Sequence, residues 1–163
     1  MGRRMGYKRS DRRWVDDEGT VWASKFEYKV FAGLRDSGCN VRKCTSSDTF
    51  SYTEHKPNVR CVECGGCDCV QDRTYTPDLF YTPEQGEGSG TGYYIETKGY
   101  FAAPKRSLFR SLRASRPDID LRVVLESDGW VTKGKTRLTD YFSRYLKTTP
   151  VHVWDGDIPE EWK

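Results

Sequence analysis

Two apolar runs on either side of a helix-patterned segment do most to limit the folds open to this chain. Residues 93–97 and 121–125 are short, bounded runs of the kind that form buried strands. Residues 105–115 between them place three large apolar side chains at helical spacing. A strand, a helix and a strand of this length form a crossover between parallel strands. The sequence therefore predicts an α/β fold, with a mixed β-sheet and helices on its faces.

The remaining elements follow from the same periodicities. Helices are predicted at residues 24–36 and 138–146, and strands at residues 73–81 and 151–154, with short strands and loops over 40–60. At 163 residues the chain has the length of one domain with a substantial core. We expect that domain over residues 20–163, preceded by a basic arm over residues 1–19.

Basic residues are concentrated in two segments. The net charge is only +3, yet residues 1–13 hold six Lys or Arg against one acid, and residues 105–116 hold five with no acid. Such patches indicate a polyanion partner, here DNA. The alternative is a solubilising tail and a merely solvated helix face. The DNA contacts that we predict from these two segments are Arg12, Arg13, Lys105, Arg106, Arg110 and Arg113.

Nothing in the sequence suggests a membrane or secreted protein. No stretch approaches the roughly 20 apolar residues that span a bilayer, and no apolar run follows the basic N-terminus. Six cysteines in such a chain indicate reduced thiols or metal ligands rather than disulfides. We expect an intracellular location and no membrane partner.

Acidic residues near the two central strands indicate metal chemistry. Asp78 follows a proline on the predicted strand 73–81, and Glu96 and Lys98 lie two residues apart along the next strand. Alternate residues of a strand share a face, so Glu96 and Lys98 point the same way. This set would hold Mg²⁺ or Mn²⁺ against a phosphodiester, with the Thr97 carbonyl as a further ligand and Lys98 orienting the attacking water. The alternative is a Glu–Lys pair on a solvated strand.

Glu27 is the candidate third carboxylate. It shares one helical stripe with Phe31 and Leu34, and an acid on a buried stripe is either costly or functional. The alternative is structural, because Ser24 and Glu27 match a helix capping box. The residues alone favour neither interpretation.

A cluster of cysteines indicates a structural zinc site. The spacing Cys-x2-Cys-x2-Cys-x-Cys packs four thiols into nine residues, as a zinc knuckle requires. An iron–sulfur cluster is the lesser alternative. Either Cys44 or His55 could replace one of the last two ligands, whereas Cys39 suits a small core position. The proposed zinc ligands are Cys61, Cys64, Cys67 and Cys69.

These motifs occur in an order that resembles the phage endonuclease I family, the short Holliday-junction resolvases within the PD-(D/E)xK nuclease superfamily. The resemblance extends over about residues 20–163, apart from the middle. The matching segments are residues 24–30, Tyr75–Leu79, Ile95–Gly99, 105–124, 133–137 and 158–162.

The resemblance implies a restriction-endonuclease-like sheet and Mg²⁺-dependent cleavage of branched DNA. It gives Asp78, Glu96 and Lys98 the core roles and makes Glu27 the remaining metal carboxylate. In the family the enzyme is a domain-swapped homodimer, in which the counterpart of Glu27 comes from one chain and the other three residues from its partner. If the chain is phage-encoded, its location is the host cytoplasm.

One departure from the family opens alternatives. An insertion at residues 54–73, which carries the cysteines, lies near the segment that bridges the swapped dimer. A monomer that completes its own site would nick DNA with weak selectivity for structure instead of making paired cuts. A third alternative, of another class, is a zinc-dependent DNA-binding protein with a vestigial nuclease site.

Overall fold

The computed structural model describes residues 13–57, 68–83, 92–132 and 134–163. Its helices are α1 (Lys25–Asp36), α2 (Ala103–Ser115) and α3 (Leu138–Tyr145), with short 3-10 turns at Ser46–Asp48 and Glu160–Trp162. Its strands are β1 (Trp14–Val15), β2 (Val21–Trp22), β3 (Asn40–Lys43), β4 (Phe50–Pro57), β5 (Asp68–Tyr75), β6 (Leu79–Thr82), β7 (Tyr93–Lys98), β8 (Leu121–Leu125), β9 (Trp130–Thr132), β10 (Thr136–Arg137) and β11 (Val151–Val153).

A five-stranded mixed sheet forms the centre of the molecule, in the order β11–β8–β7–β6–β3. Strands β7, β8 and β11 are parallel, whereas β6 runs antiparallel to both β7 and β3. Helix α2 makes the crossover from β7 to β8, as the sequence predicts. The mixed sheet with flanking helices is therefore confirmed.

Helices cover both faces of this sheet. Val30 and Leu34 of α1 pack in one apolar cluster with Ile95 and Val124. The opposite cluster contains the buried side chains of α2 and α3 together with the other inward positions of β8. Because β8 is covered on both faces, Val123, Val124 and Leu125 are fully buried, which explains its continuous apolar sequence.

The prediction of one strand over residues 73–81 is wrong. β5 ends at Tyr75 and β6 begins at Leu79, with Pro77 buried between them. Proline has no N–H to donate to a strand ladder, so the chain leaves one sheet here and enters another. Asp78 consequently lies at the junction between the two sheets.

A long hairpin connects the segment that carries Glu27 with the segment that carries Asp78, Glu96 and Lys98. β4 and β5 pair antiparallel without a register break, from Phe50 opposite Tyr75 to Pro57 opposite Asp68. The hairpin is held against α2, where the Thr53 N–H donates to Ser115 Oγ at 2.8 Å. The sequence predicts only short strands and loops here, because a polar two-stranded ribbon lacks the apolar alternation that marks a half-buried strand.

Within the described ranges, no helix has the length and apolar character needed to cross a membrane.

Candidate active site

Strand β7 places Glu96 and Lys98 on one face, as predicted. The Lys98 ammonium donates to Glu96 Oε1, and Glu96 is only 3% exposed. The strand is central in the sheet, between β6 and β8. A carboxylate in this position is held away from water and next to a single cation.

Asp78 meets this pair from the start of β6. Its Oδ2 accepts hydrogen bonds from both the N–H and the hydroxyl of Thr97, each at 2.8 Å, and lies 4.0 Å from the Lys98 ammonium. The Cys44 N–H donates to the Asp78 carbonyl at 2.9 Å, which fixes the backbone on its other side. Thr97 therefore orients Asp78, in addition to the metal contact that the sequence assigns to its carbonyl.

Glu27 lies in the first turn of α1, where Ser24 is the N-cap. The Glu27 N–H donates to Ser24 Oγ at 3.0 Å, as the capping box predicts, but Glu27 Oε2 accepts from the Ala23 N–H at 2.9 Å rather than from the N–H of Ser24. The residue is 3% exposed. Burial raises the pKa of Glu27, and the negative charge of Asp78 raises it further. The Glu27 carboxyl therefore lies close enough to Asp78 for their charges to interact.

Burial and mutual repulsion dominate the electrostatics of Glu96. Burial and the charge of Asp78 raise the pKa of Glu96 to about 7, although the Lys98 ammonium opposes this. Burial alone would lower the pKa of Lys98, but the surrounding carboxylates, Glu96 first, raise it overall. Three carboxylates thus lie within electrostatic reach of the Lys98 ammonium.

Tyr75 and Lys43 belong to this neighbourhood, and the sequence analysis missed both. Tyr75 is 7% exposed, and its hydroxyl lies within hydrogen-bonding reach of Glu96, so burial first and then Glu96 raise the pKa of Tyr75. The Lys43 ammonium donates to the Val21 carbonyl, and its charge lowers the pKa of Glu27. Tyr75 could have been found from the sequence, because it lies three residues before Asp78 in the same motif. No feature of the sequence pointed to Lys43.

The carboxylates of Glu27, Asp78 and Glu96 are suitable ligands for a divalent cation, but they are not already arranged around a common point. Among the described residues, the buried Glu96 Oε2 has no partner at ordinary hydrogen-bond geometry, and carboxylate oxygens are the ligands that Mg²⁺ and Mn²⁺ prefer. Yet across the part of the chain that the structure describes, no three acidic, histidine or cysteine side chains converge as a metal-binding group. One oxygen each of Glu27, Asp78 and Glu96 is instead bonded to the protein.

The residues predicted to contact DNA differ in how far they are exposed or bonded within the protein. Arg12 lies outside the described residues, whereas Arg13, Lys105 and Arg110 are exposed. The Arg106 guanidinium donates to the Phe101 carbonyl at 2.8 Å. Arg113 is engaged internally and donates to the carbonyls of Arg116, Ile119 and Thr148.

The zinc site falls largely outside what the structure describes. Cys61, Cys64 and Cys67 lie outside the described residues, as do the side chains of Cys69 and His55. Cys44 is buried, and burial raises the pKa of its thiol to about 12, so it is a protonated core side chain. Cys39 packs against the α1 core, as predicted.

No family model matches the chain. Centractin from Schizosaccharomyces pombe is 25% identical to it over 135 residues, which cover 78% of this chain and 31% of centractin. The chain thus spans about a third of the length of that relative. This likeness is too low to assign a family.

Proposed function

We propose that this chain is a divalent-metal-dependent DNA endonuclease with its active site at Glu27, Asp78, Glu96 and Lys98. The observation that carries the proposal is that the charges of Glu96, Asp78 and Glu27 all raise the pKa of the largely buried Lys98, so the three carboxylates lie within electrostatic reach of one ammonium. The ordered resemblance to phage endonuclease I supplies the substrate class, branched or nicked DNA. A restriction-endonuclease-like fold is part of the same proposal.

Each side chain has a distinct task in this mechanism. Glu27, Asp78 and Glu96 would hold Mg²⁺ or Mn²⁺, which when bound supplies Lewis-acid stabilisation of the charge that develops on the phosphate. Thr97 keeps Asp78 in place through two hydrogen bonds. The Lys98 ammonium, which donates to Glu96 Oε1, would stabilise charge on the phosphate oxygens or orient the attacking water.

A second candidate function is nicking by a single chain. Glu27 and Asp78 interact within one chain, and the β4–β5 hairpin returns that chain to its own sheet. One chain with one complete site cuts one strand at a time. Paired cutting across a junction needs two sites held together, as in the swapped dimers of the resembled family.

Structural zinc in the hairpin remains a proposal from the cysteine spacing alone. Metal analysis of the purified protein tests it, with about one zinc per chain expected. We expect the Cys61→Ser variant to lose this zinc. A protein that folds and contains no zinc contradicts this proposal and leaves the nuclease proposal standing.

The nuclease proposal is tested with supercoiled plasmid and Mg²⁺. We expect open circles to accumulate first, and Lys98→Ala to lose at least about 100-fold in rate while still binding DNA. Lys29→Ala is the matched control, because Lys29 is an exposed lysine on α1. DNA binding without any cleavage by the wild-type protein would instead support the zinc-dependent binding protein.

A further inference from the structure

A cleft between α2 and α3 lies beyond the strand edge that carries Lys98. β7 and β8 are parallel and pair Lys98 with Leu125, so both strands end at the same edge. Helix α2 begins at Ala103, five residues after Lys98, and β9 begins at Trp130, five residues after Leu125. The cleft between these segments has a volume of about 340 Å³.

The lining of this cleft suits an anion. Two guanidiniums, those of Arg106 and Arg110, face it from α2, and Thr136 and Tyr145 add polar groups from the other side. No acidic side chain lines it among the described residues. Tyr145 is 59% exposed, which leaves one wall of the cleft aromatic and accessible.

Tyr141 provides the second, independent observation. Its ring lines the cleft, the residue is only 6% exposed, and its hydroxyl has no hydrogen-bond partner among the described residues. Arg106 lies over this ring, 5.9 Å from its centroid. Tyr93 also has a buried hydroxyl without a partner, but it does not line this cleft. A buried unsatisfied donor beside two cations is the arrangement expected of an oxyanion site.

We propose that this cleft binds one backbone phosphate of the DNA, with Arg106 and Arg110 supplying charge and Tyr141 a hydrogen bond. This inference rests on the proposed function and adds a phosphate subsite outside the catalytic group. A phosphate held here would fix the register of the duplex beyond the scissile bond. The neutral Tyr141 hydroxyl and the charged Arg106 and Arg110 guanidiniums would contribute to DNA affinity in ways that can be measured separately.

The salt dependence of binding separates these contributions. Binding of a short fluorescein-labelled duplex is measured by anisotropy across a salt series, in a Lys98→Ala background that prevents cutting. We expect Arg110→Gln to weaken binding about tenfold and to lower the salt slope by about one, because one phosphate contact is lost. Tyr141→Phe keeps the ring, and should weaken binding about threefold or more with an unchanged slope, because a neutral donor releases no counterion.

Arg144→Gln is the matched control, because Arg144 is an exposed arginine of α3 that does not line the cleft. Equal effects of Arg110→Gln and Arg144→Gln, with Tyr141→Phe unchanged, would overturn the subsite. Inorganic phosphate at matched ionic strength should compete only weakly, and variant effects on phosphate binding alone, without effects on DNA, would also overturn it. Plasmid cleavage distinguishes the two proposals: cutting that is indifferent to these variants removes only the subsite, whereas binding that depends on them without cutting removes only the nuclease.

Discussion

Glu27 and Asp78 interact within a single chain, where the charge of Asp78 raises the pKa of the buried Glu27 carboxyl. The two residues are 51 positions apart, on α1 and at the start of β6. They approach because β3 and β6 are neighbours in the sheet and the β4–β5 hairpin closes the connection between them. In the resembled family the corresponding carboxylates come from different chains.

Mixing two inactive variants tests whether one chain is sufficient. Glu27→Gln and Asp78→Asn each remove one carboxylate from the site, so each alone should be inactive. If each chain completes its own site, a mixture refolded together should remain inactive, because no chain has all four residues. Plasmid cleavage measures the result. Recovery of a substantial fraction of activity would show that the residues are shared between chains.

Tyr75→Phe should weaken binding of the catalytic metal. The buried Tyr75 hydroxyl lies within hydrogen-bonding reach of Glu96, so it is placed to orient that carboxylate. Loss of such an outer contact typically lowers metal affinity about tenfold. Calorimetric titration of Mn²⁺ measures this independently of activity. Tyr94→Phe, a tyrosine on β7 itself, is the control and should bind Mn²⁺ like the wild type.

With no divalent cation added, stability should fall as the pH rises from about 4.5 to about 7. Glu96 has an ordinary pKa of 4.5 and a folded-state pKa of about 7, so the folded state binds more protons throughout this window. The raised pKa of Glu27 acts in the same direction. Glu96 contributes on the order of 3 kcal/mol to this loss, because a shift of one pKa unit is worth ~1.4 kcal/mol.

Urea unfolding at several pH values, compared between the wild type and Glu96→Gln, measures this loss. The variant should show a flatter dependence on pH. Added Mg²⁺ should stabilise the wild type more at the upper end of the window, where the carboxylates are charged. Equal pH slopes for the two proteins would contradict the burial of an ionisable Glu96.

Asp48 should contribute to stability without contributing to catalysis. It is 7% exposed, and both its oxygens accept from the Arg42 guanidinium at 2.7 and 2.8 Å. This hydrogen bonding lowers the pKa of Asp48 to about 2, so its contribution is present above pH ~4 and is lost as the pH falls towards 2. Asp48→Ala should cost about 2 kcal/mol at neutral pH.

Asp118→Ala is the matched control for Asp48. Its pair with Arg116 has a similar distance of 2.8 Å, but the Asp118 side chain is 61% exposed. Because solvent screens an exposed pair of this kind, Asp118→Ala should cost much less stability than Asp48→Ala. Equal losses for the two variants in urea unfolding would show that burial of Asp48 does not set its contribution.

Local patterns predicted the central part of the fold well. The crossover β7–α2–β8 and the edge strand β11 follow from residue spacing, because each element shows its periodicity within about ten residues. The pairing of Glu96 with Lys98 follows equally from the alternation of a strand. The break at Pro77 was missed because a proline does not reveal which sheet the chain will join next.

The sequence by itself determined the α/β architecture and brought Glu96 and Lys98 together, since both depend on neighbours along the chain. Only the tertiary structure decided that Glu27 lies near Asp78, that the Tyr75 hydroxyl is buried beside Glu96, and that Tyr141 lines a basic cleft. These relationships depend on how distant segments pack and on where a hairpin returns the chain. The free energy that selects such an arrangement comes from burial and strand pairing over the whole domain, so no short segment contains the information.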